Sequence, residues 1–295
     1  MLFGRIIFVN LCGNSTREIC MTRFFTYSVC LVFLSTIAAC SPRNTREARA
    51  YVAEIELVYQ AGNFELAKLK IDSIRILFPR AFDEIRAGIA LLQRVRMAEN
   101  VQNIAFADSL LLEKYAMLND MLPLFDFSFN PEFQDIGEYH PLAYPHRTSL
   151  NRSGIRSSVN ERGVLFLESI LVSNPIHHNK IRVTLRDGSF AETLPVTAEG
   201  LNYRFSTIDN TYEIVRFSGN AENGVAQFIE IFQNEPITLQ FIGNRNTSIT
   251  LSRAEIQGIV HSVELSALLT DIQRLEFERD RSRVLIRYLE SRKSQ

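Results

Sequence analysis

Two stretches of about forty residues repeat their apolar side chains at helical spacing, and they limit the folds open to this chain more than any other feature. Between Ala81 and Met121, Ile85, Ile89, Leu92, Ile104, Leu111, Tyr115 and Leu118 fall near one side. Arg94, Arg96, Glu99, Gln102 and Asn103 interrupt that stripe, which predicts a long, partly solvated helix, ended by Pro123. From Ser252 onward, Ile256, Ile259, Val263, Leu268, Ile272, Leu275, Ile286 and Leu289 form a second stripe. Its solvated side carries opposite charges three apart: Asp271/Arg274, Glu276/Arg279, Glu278/Arg281 and Asp280/Arg283. Ser252 and Glu255 have capping-box spacing at its start. An amphipathic helix this long has to cover its apolar face, and an equally long partner is present in the same chain. Antiparallel packing of the two is therefore expected ahead of a dimer seam, although oligomeric state is not legible.

Between them the period changes. Leu124–Ser149 holds Phe125, Phe127, Phe129, Phe133, Tyr139 and Tyr144 among Pro131, Pro141 and Pro145, and reads as a 124–150 loop stapled down by its own aromatics. From Ile155 the period is two. Val164–Leu171, Lys180–Leu185, Tyr212–Phe217, Ile237–Ile242 and Ser248–Leu251 are β-branched or aromatic runs bounded by turn residues. Arg186-Asp187-Gly188-Ser189 supplies a hairpin turn toward Phe190. Val225, Phe228, Ile229 and Phe232 return to helical spacing, so Gly224–Gln233 is expected as a short helix on the sheet. The expected fold class is α+β: an N-terminal helical region (40–123), a mainly antiparallel β-rich part (151–251), and a long terminal helix (252–295).

Ahead of the first long stretch, Thr45–Ala61 and Asn63–Phe78 read as a helical hairpin, turned at Gly62 and stopped by Pro79. Tyr59, Gly62, Phe64, Ala67 and Pro79 resemble the second half of a tetratricopeptide unit. Repeat folds need about three units to bury a continuous face and this pattern occurs once, which favours a generic hairpin.

The segment Met21–Cys40 has a basic start (Arg23), a short apolar run (Val29–Ile37) and a small-residue boundary, Ile37-Ala38-Ala39-Cys40. The run is short of the roughly 20 apolar residues a spanning helix needs, so it reads as a cleaved signal within 1–39, with Met21 the better start than Met1. Its ending resembles the lipobox of bacterial lipoproteins, which implies a diacylglycerol on Cys40 and fatty acylation of the mature N-terminus. An ordinary secretory signal is the competing reading. Cysteine usage argues against it: Cys12, Cys20, Cys30 and Cys40 are the only four, so beyond Cys40 no thiol serves a disulfide or a metal. Ser41-Pro42-Arg43-Asn44 contains no acid. By resemblance to known sorting patterns this implies the periplasmic face of the outer membrane, ahead of the inner membrane or the cell surface.

Of 32 basic and 33 acidic residues, Arg5, Arg17, Arg23 and Glu18 precede Cys40, leaving 29 and 32 beyond it. No basic excess is available to a phosphate backbone, which argues against nucleic-acid binding. Hydrophobic content of 46% with 21 Phe supports a real core, and the absence of Trp disfavours an exposed sugar-stacking platform. The histidines, His140, His146, His177, His178 and His261, lack zinc-site spacing, and no dissociable cofactor or metal is expected. One of His177 and His178 has to point inward, where bonding to a backbone carbonyl would suffice. No nucleophile elbow or phosphate loop is present. Asp126, Glu132, Asp135 and Glu138 could supply a glycosidase-like carboxylate pair only if folding brings two within about 5 to 10 Å, and solvated loop acids are the simpler expectation.

Gly62-Asn63-Phe64, Ile71-Asp72-Ser73, Phe78-Pro79, Asp108-Ser109-Leu110, Ser153-Gly154-Ile155, Gly163, Ser169 and His178 lie in an order that resembles a family of uncharacterised lipoproteins from Bacteroidetes-type bacteria. The resemblance spans nearly all of the chain beyond Cys40 and implies an outline rather than an activity. The expectation is a membrane-anchored envelope protein, non-enzymatic, whose sheet or aromatic loop contacts another envelope protein. The alternative is an envelope protein that binds or cleaves a glycan or peptide through 124–149.

Overall fold

The computed structural model describes residues 42–132, 135–144, 152–172, 175–197, 201–208 and 210–293; Cys40, Phe133 and His146 lie outside them. The chain is α+β, with helices at both ends and two antiparallel sheets between. It divides into two compact units. One holds the described residues up to Asn100 together with those from Leu289, and the other runs Val101–Tyr288.

The first unit contains α1 (Pro42–Gln60), α2 (Phe64–Leu77) and the opening half of α3 (Phe82–Met121). Helix α1 begins three residues before the expected Thr45, since a first helical turn needs no N–H from proline. It ends as the Gly62 turn requires: Gly62 adopts φ +77°, its N–H donates to Tyr59, and the Asn63 N–H donates to Val58. These are the two bonds of a Schellman cap. Asn63 then caps α2 by accepting from the Leu66 N–H at 3.2 Å. Ile55, Ala67, Ile71, Ile74, Leu91 and Val95 form the core of this unit. Tyr51 against Phe78 (5.7 Å) and Tyr59 against Phe64 (6.1 Å) hold α1 and α2 antiparallel.

In the second unit a six-stranded sheet has the order β1 (Phe125–Ser128), β2 (Glu138–Pro141), β3 (Gly154–Asn160), β4 (Leu165–Val172), β8 (Thr211–Ser218), β7 (Asn202–Ser206). A four-stranded sheet has the order β10 (Asn246–Thr250), β9 (Thr238–Ile242), β5 (Lys180–Thr184), β6 (Phe190–Glu192). Helix α4 (Val225–Ile231) lies in the β8–β9 connection and buries Val225, Ala226 and Ile229. Helix α5 (Arg253–Lys293) follows β10. One continuous core joins Ile155, Leu167 and Phe217 of the larger sheet, Ile181, Leu239 and Phe241 of the smaller, and Ile256, Ile259 and Leu265 of α5.

One expectation is corrected here. Residues 124–150 are not simply a loop: Phe125–Ser128 and Glu138–Pro141 pair in register Phe125↔Pro141 to Ser128↔Glu138 and extend the sheet past β3. Four-residue strands broken by a proline turn are too short to read as period two. Edge strand β7 lies outside the runs that the sequence marks as strands, because Asn202–Ser206 is largely exposed on both faces and shows no apolar alternation. Within this unit α3 and α5 are antiparallel partners, as expected, with Leu111 against Leu268, Ile272 and Leu275. Lys114 meets Asp271 at 2.8 Å and Tyr115 donates to Glu276 at 2.7 Å. Of the charges three apart, Asp271–Arg274 and Asp280–Arg283 pair, whereas Arg279 reaches Asp280 and, across to α3, Asp108.

Candidate functional site

Alternation along the six-stranded sheet gives it two chemically distinct faces. The inner face points Ser169 from β4, Glu213 from β8, and Asn202 and Arg204 from β7 toward the segment that leads into β5. There His178 is fully buried. Its Nε2 lies 2.8 Å from the Ser169 hydroxyl and its Nδ1 2.9 Å from the Glu213 carboxylate. The ring stands edge-on to Phe241 at 5.3 Å, so it ties the two sheets together.

Glu213 accepts four hydrogen bonds: from the amides of His177 (2.7 Å) and His178 (3.1 Å), from the His178 ring, and from Arg204 Nε (3.0 Å). Two successive amides converge on it because His177 takes φ +56°. Gly243 is required beside them, since a Cβ there would collide with the Ile176 carbonyl and the His178 amide. Burial pushes the His178 imidazole below its usual range, and contact with Glu213 opposes this without cancelling it. For Glu213, burial opposes ionisation, but the bonds from the His178 ring and from the two amides outweigh it and hold the carboxyl low. A neutral imidazole that donates from Nδ1 and accepts the serine proton at Nε2 satisfies every partner.

The order Ser–His–Glu and these distances are those of a nucleophile, its base and an orienting acid. Accessibility separates this trio from that chemistry. Ser169 and His178 have no exposed surface and Glu213 effectively none, so no acyl substrate reaches the hydroxyl without parting the sheets. The trio is a polar strut within the core. The expected bond from a histidine to a backbone carbonyl is corrected: His178 bonds a carboxylate, and Ser169 is the group beside the Val215 carbonyl.

On the outer face, Arg156, Glu168 and Arg216 stand in one row across β3, β4 and β8, with Glu138 and His140 beside them on β2. Arg156 Nε donates to Glu168 at 2.5 Å, and Arg216 bridges Glu168 (3.3 Å) and Glu138 (2.6 Å) while stacking on Phe166. Ser158 donates to Glu138 at 2.9 Å, and Ser128 and His140 Nε2 meet at 2.9 Å. These groups line a shallow polar cleft of about 220 Å³. All four carboxylate oxygens of Glu138 and Glu168 accept a bond from a cation or hydroxyl of the same face.

Of the acids noted in the sequence, Glu138 enters this cleft; Asp126, Glu132 and Asp135 are exposed. Phe125 and Tyr139 pack into the core as staples, while Phe127 and Phe129 remain about half exposed. His261 sits on α5 near Phe125. Among the described residues no cluster of three or more His, Cys, Asp or Glu could hold a metal, and no helix is long and apolar enough to cross a membrane. Sequence spacing carried no sign of Glu213, Arg204, Glu168 or Arg216, because each pairs with residues from other strands. Comparison of the chain with protein-family models, with curated proteins and with solved structures finds no match.

Proposed function

We propose that this chain is a lipid-anchored protein of the bacterial cell envelope, acylated at Cys40, facing the periplasm from the outer membrane, and working as a non-enzymatic structural or interaction protein. The observation that carries this reading is Ile37-Ala38-Ala39-Cys40, closing a short apolar run in a chain with no cysteine beyond it. The reading is consistent with a Ser–His–Glu trio sealed in the core and with an outer sheet face whose charges are already mutually paired. A face of that kind suits a protein partner able to exchange ion pairs with it. Fatty-acid labelling and membrane fractionation test the anchor. Wild type should carry label and sediment with the outer membrane, and Cys40→Ala should lose both; equal labelling and recovery of the variant would refute it. Crosslinking of the lipidated protein should trap one specific partner.

A second reading, binding of a glycan or peptide, rests on Glu138 and Glu168 sharing the polar cleft with Arg156 and Arg216. Calorimetric titration with soluble cell-wall fragments distinguishes it. Heat of binding that disappears in Arg216→Met would favour a ligand site over a protein contact.

A further inference from the structure

The two sheets end in four edge strands, β1 and β7 of the larger, β10 and β6 of the smaller. An open strand edge states by its own chemistry what covers it, because a row of unpaired N–H and C=O groups is completed by another strand. Three of the four edges are protected. Strand β1 is four residues long, follows Pro123 closely and carries Asp126. Strand β7 holds Arg204, whose guanidinium turns inward to Glu213. Strand β6 is three residues long and its open side is already used: the Glu192 carbonyl accepts from the Asn223 side chain, and the Leu194 N–H donates to Ala221. Short strands, inward charges and covering segments are the usual defences of an edge.

Strand β10 has none of them. Asn246-Thr247-Ser248-Ile249-Thr250 contains no charge and no proline, and it pairs with β9 without a bulge. The bonds at its two ends set the phase of that ladder: the Gly243 N–H donates to the Arg245 carbonyl at 3.3 Å, and the Leu251 N–H to the Ile237 carbonyl at 3.0 Å. Antiparallel bonding alternates, so Thr247 and Ile249 also bond toward β9, and the backbone groups of Asn246, Ser248 and Thr250 point away from it. Among the described residues no hydrogen bond closes that outward side. The side chains of the same three residues are exposed.

The order of residues on this edge fits a second copy of the chain. Two β10 strands placed antiparallel about a two-fold axis through Ser248 overlap over their whole length, with Asn246 opposite Thr250, Thr247 opposite Ile249 and Ser248 opposite itself. In that register every outward-pointing residue meets an outward-pointing one, and each such pair exchanges two backbone bonds. No like charges are opposed. The side-chain pairs are amide with hydroxyl, hydroxyl with hydroxyl, and β-branched with β-branched, which are favourable neighbours across strands. The nearest charge, Arg245, falls opposite Leu251.

We propose that β10 is the seam of a homodimer, joining the smaller sheets of two copies into one continuous sheet. A five-residue seam is smaller than the roughly 1,200 Å² at which stable interfaces begin, so the pairing is weak and exchanges readily. It does not depend on lipidation of Cys40, and it uses the smaller sheet rather than the outer face of the larger.

Covalent trapping is the readout suited to a weak seam. Asn246→Cys, Ser248→Cys and Thr250→Cys would be made singly in the full-length chain and oxidised in whole cells with copper phenanthroline. Wild type beside them accounts for the native cysteines. Opposed residues of a bonded pair have Cα atoms about 5.5 Å apart, within disulfide reach, so Ser248→Cys should give a linked dimer about tenfold above the wild-type level. Residues 246 and 250 each lie about 13 Å from their own equivalents. Asn246→Cys and Thr250→Cys should therefore stay at the wild-type level alone and link to each other when coexpressed. Adding Ser248→Lys, which opposes two ammonium groups at the axis, should abolish that 246–250 link while the thermal midpoint is kept. The proposal is overturned if Ser248→Cys links no more than wild type, if all three single variants link alike, if the 246–250 link survives Ser248→Lys, or if position 248 is captured mainly by a different protein.

Discussion

Glu213 is a carboxylate removed from water, and it stays ionised because four donors replace its hydration. Breaking such a network by removing one partner leaves an uncompensated buried charge, at a cost of about 3 to 5 kcal/mol. The same geometry sets a pH dependence. The His178 imidazole is held below its ordinary 6.5, so below that pH the unfolded chain binds a proton that the native state refuses. Stability is therefore fully present above the unfolded value and lost as pH falls through the folded one. The Glu213 carboxyl, held below 4.5, adds a further loss in more acidic solution. The urea midpoint of wild type should drop between about pH 7.5 and about pH 5.5, and His178→Phe should be less stable at both but show a smaller drop. An unchanged wild-type midpoint across this window would contradict the assignment. Ser169 and His178 were singled out in the sequence, but Glu213 was not, because a strand pairing of β4 with β8 is needed to bring it to them.

The start of α5 shows how much a local motif carries once it is folded. Ser252 and Glu255 form the expected capping box: the Ser252 amide and hydroxyl donate to Glu255 Oε2, and the Glu255 amide donates back to the Ser252 hydroxyl. The other oxygen, Oε1, accepts from the Ile155 amide at 3.2 Å. Glu255 thus joins the helix start to β3, and a Cβ on the neighbouring Gly154 would collide with its carboxylate. Losing an N-cap hydroxyl costs about 1 kcal/mol, while losing Glu255 also leaves a buried amide unsatisfied, a further 1 to 3 kcal/mol or so. Chemical denaturation should therefore find Glu255→Ala at least twice as destabilising as Ser252→Ala. Equal losses would mean that the bond to Ile155 contributes nothing. The spacing from Ser252 to Glu255 was legible; the contact with Ile155, a hundred residues away, was not.

At the scale of the molecule, the two compact units have separate cores, one around Ile55, Ile74 and Val95 and one around Ile155, Phe217 and Ile259. Ile74 is 1% exposed, and truncating it to alanine removes about 2 to 5 kcal/mol from its own core. Amide hydrogen exchange on Ile74→Ala should speed up in residues 42–100 while the amides of β3, β4 and β8 keep their protection. Acceleration in both regions alike would show that one cooperative unit spans them.

The alternation of period along the chain was enough to place the helices, the hairpin at Gly62, most strands and the α+β class, because each depends on neighbours within a few residues. The short strands β1 and β2 and the exposed edge β7 escaped it, since their pairing with other strands, rather than any pattern of their own, makes them strands. The buried trio and the Arg–Glu row of the outer face belong to tertiary structure alone: their members are nine to nearly eighty residues apart, and their charges are compensated only across strands. Cys40 stands at the other limit. The expectation of a lipid there comes from a short apolar run closed by four residues and from the lack of any later cysteine, all of it read from neighbouring positions.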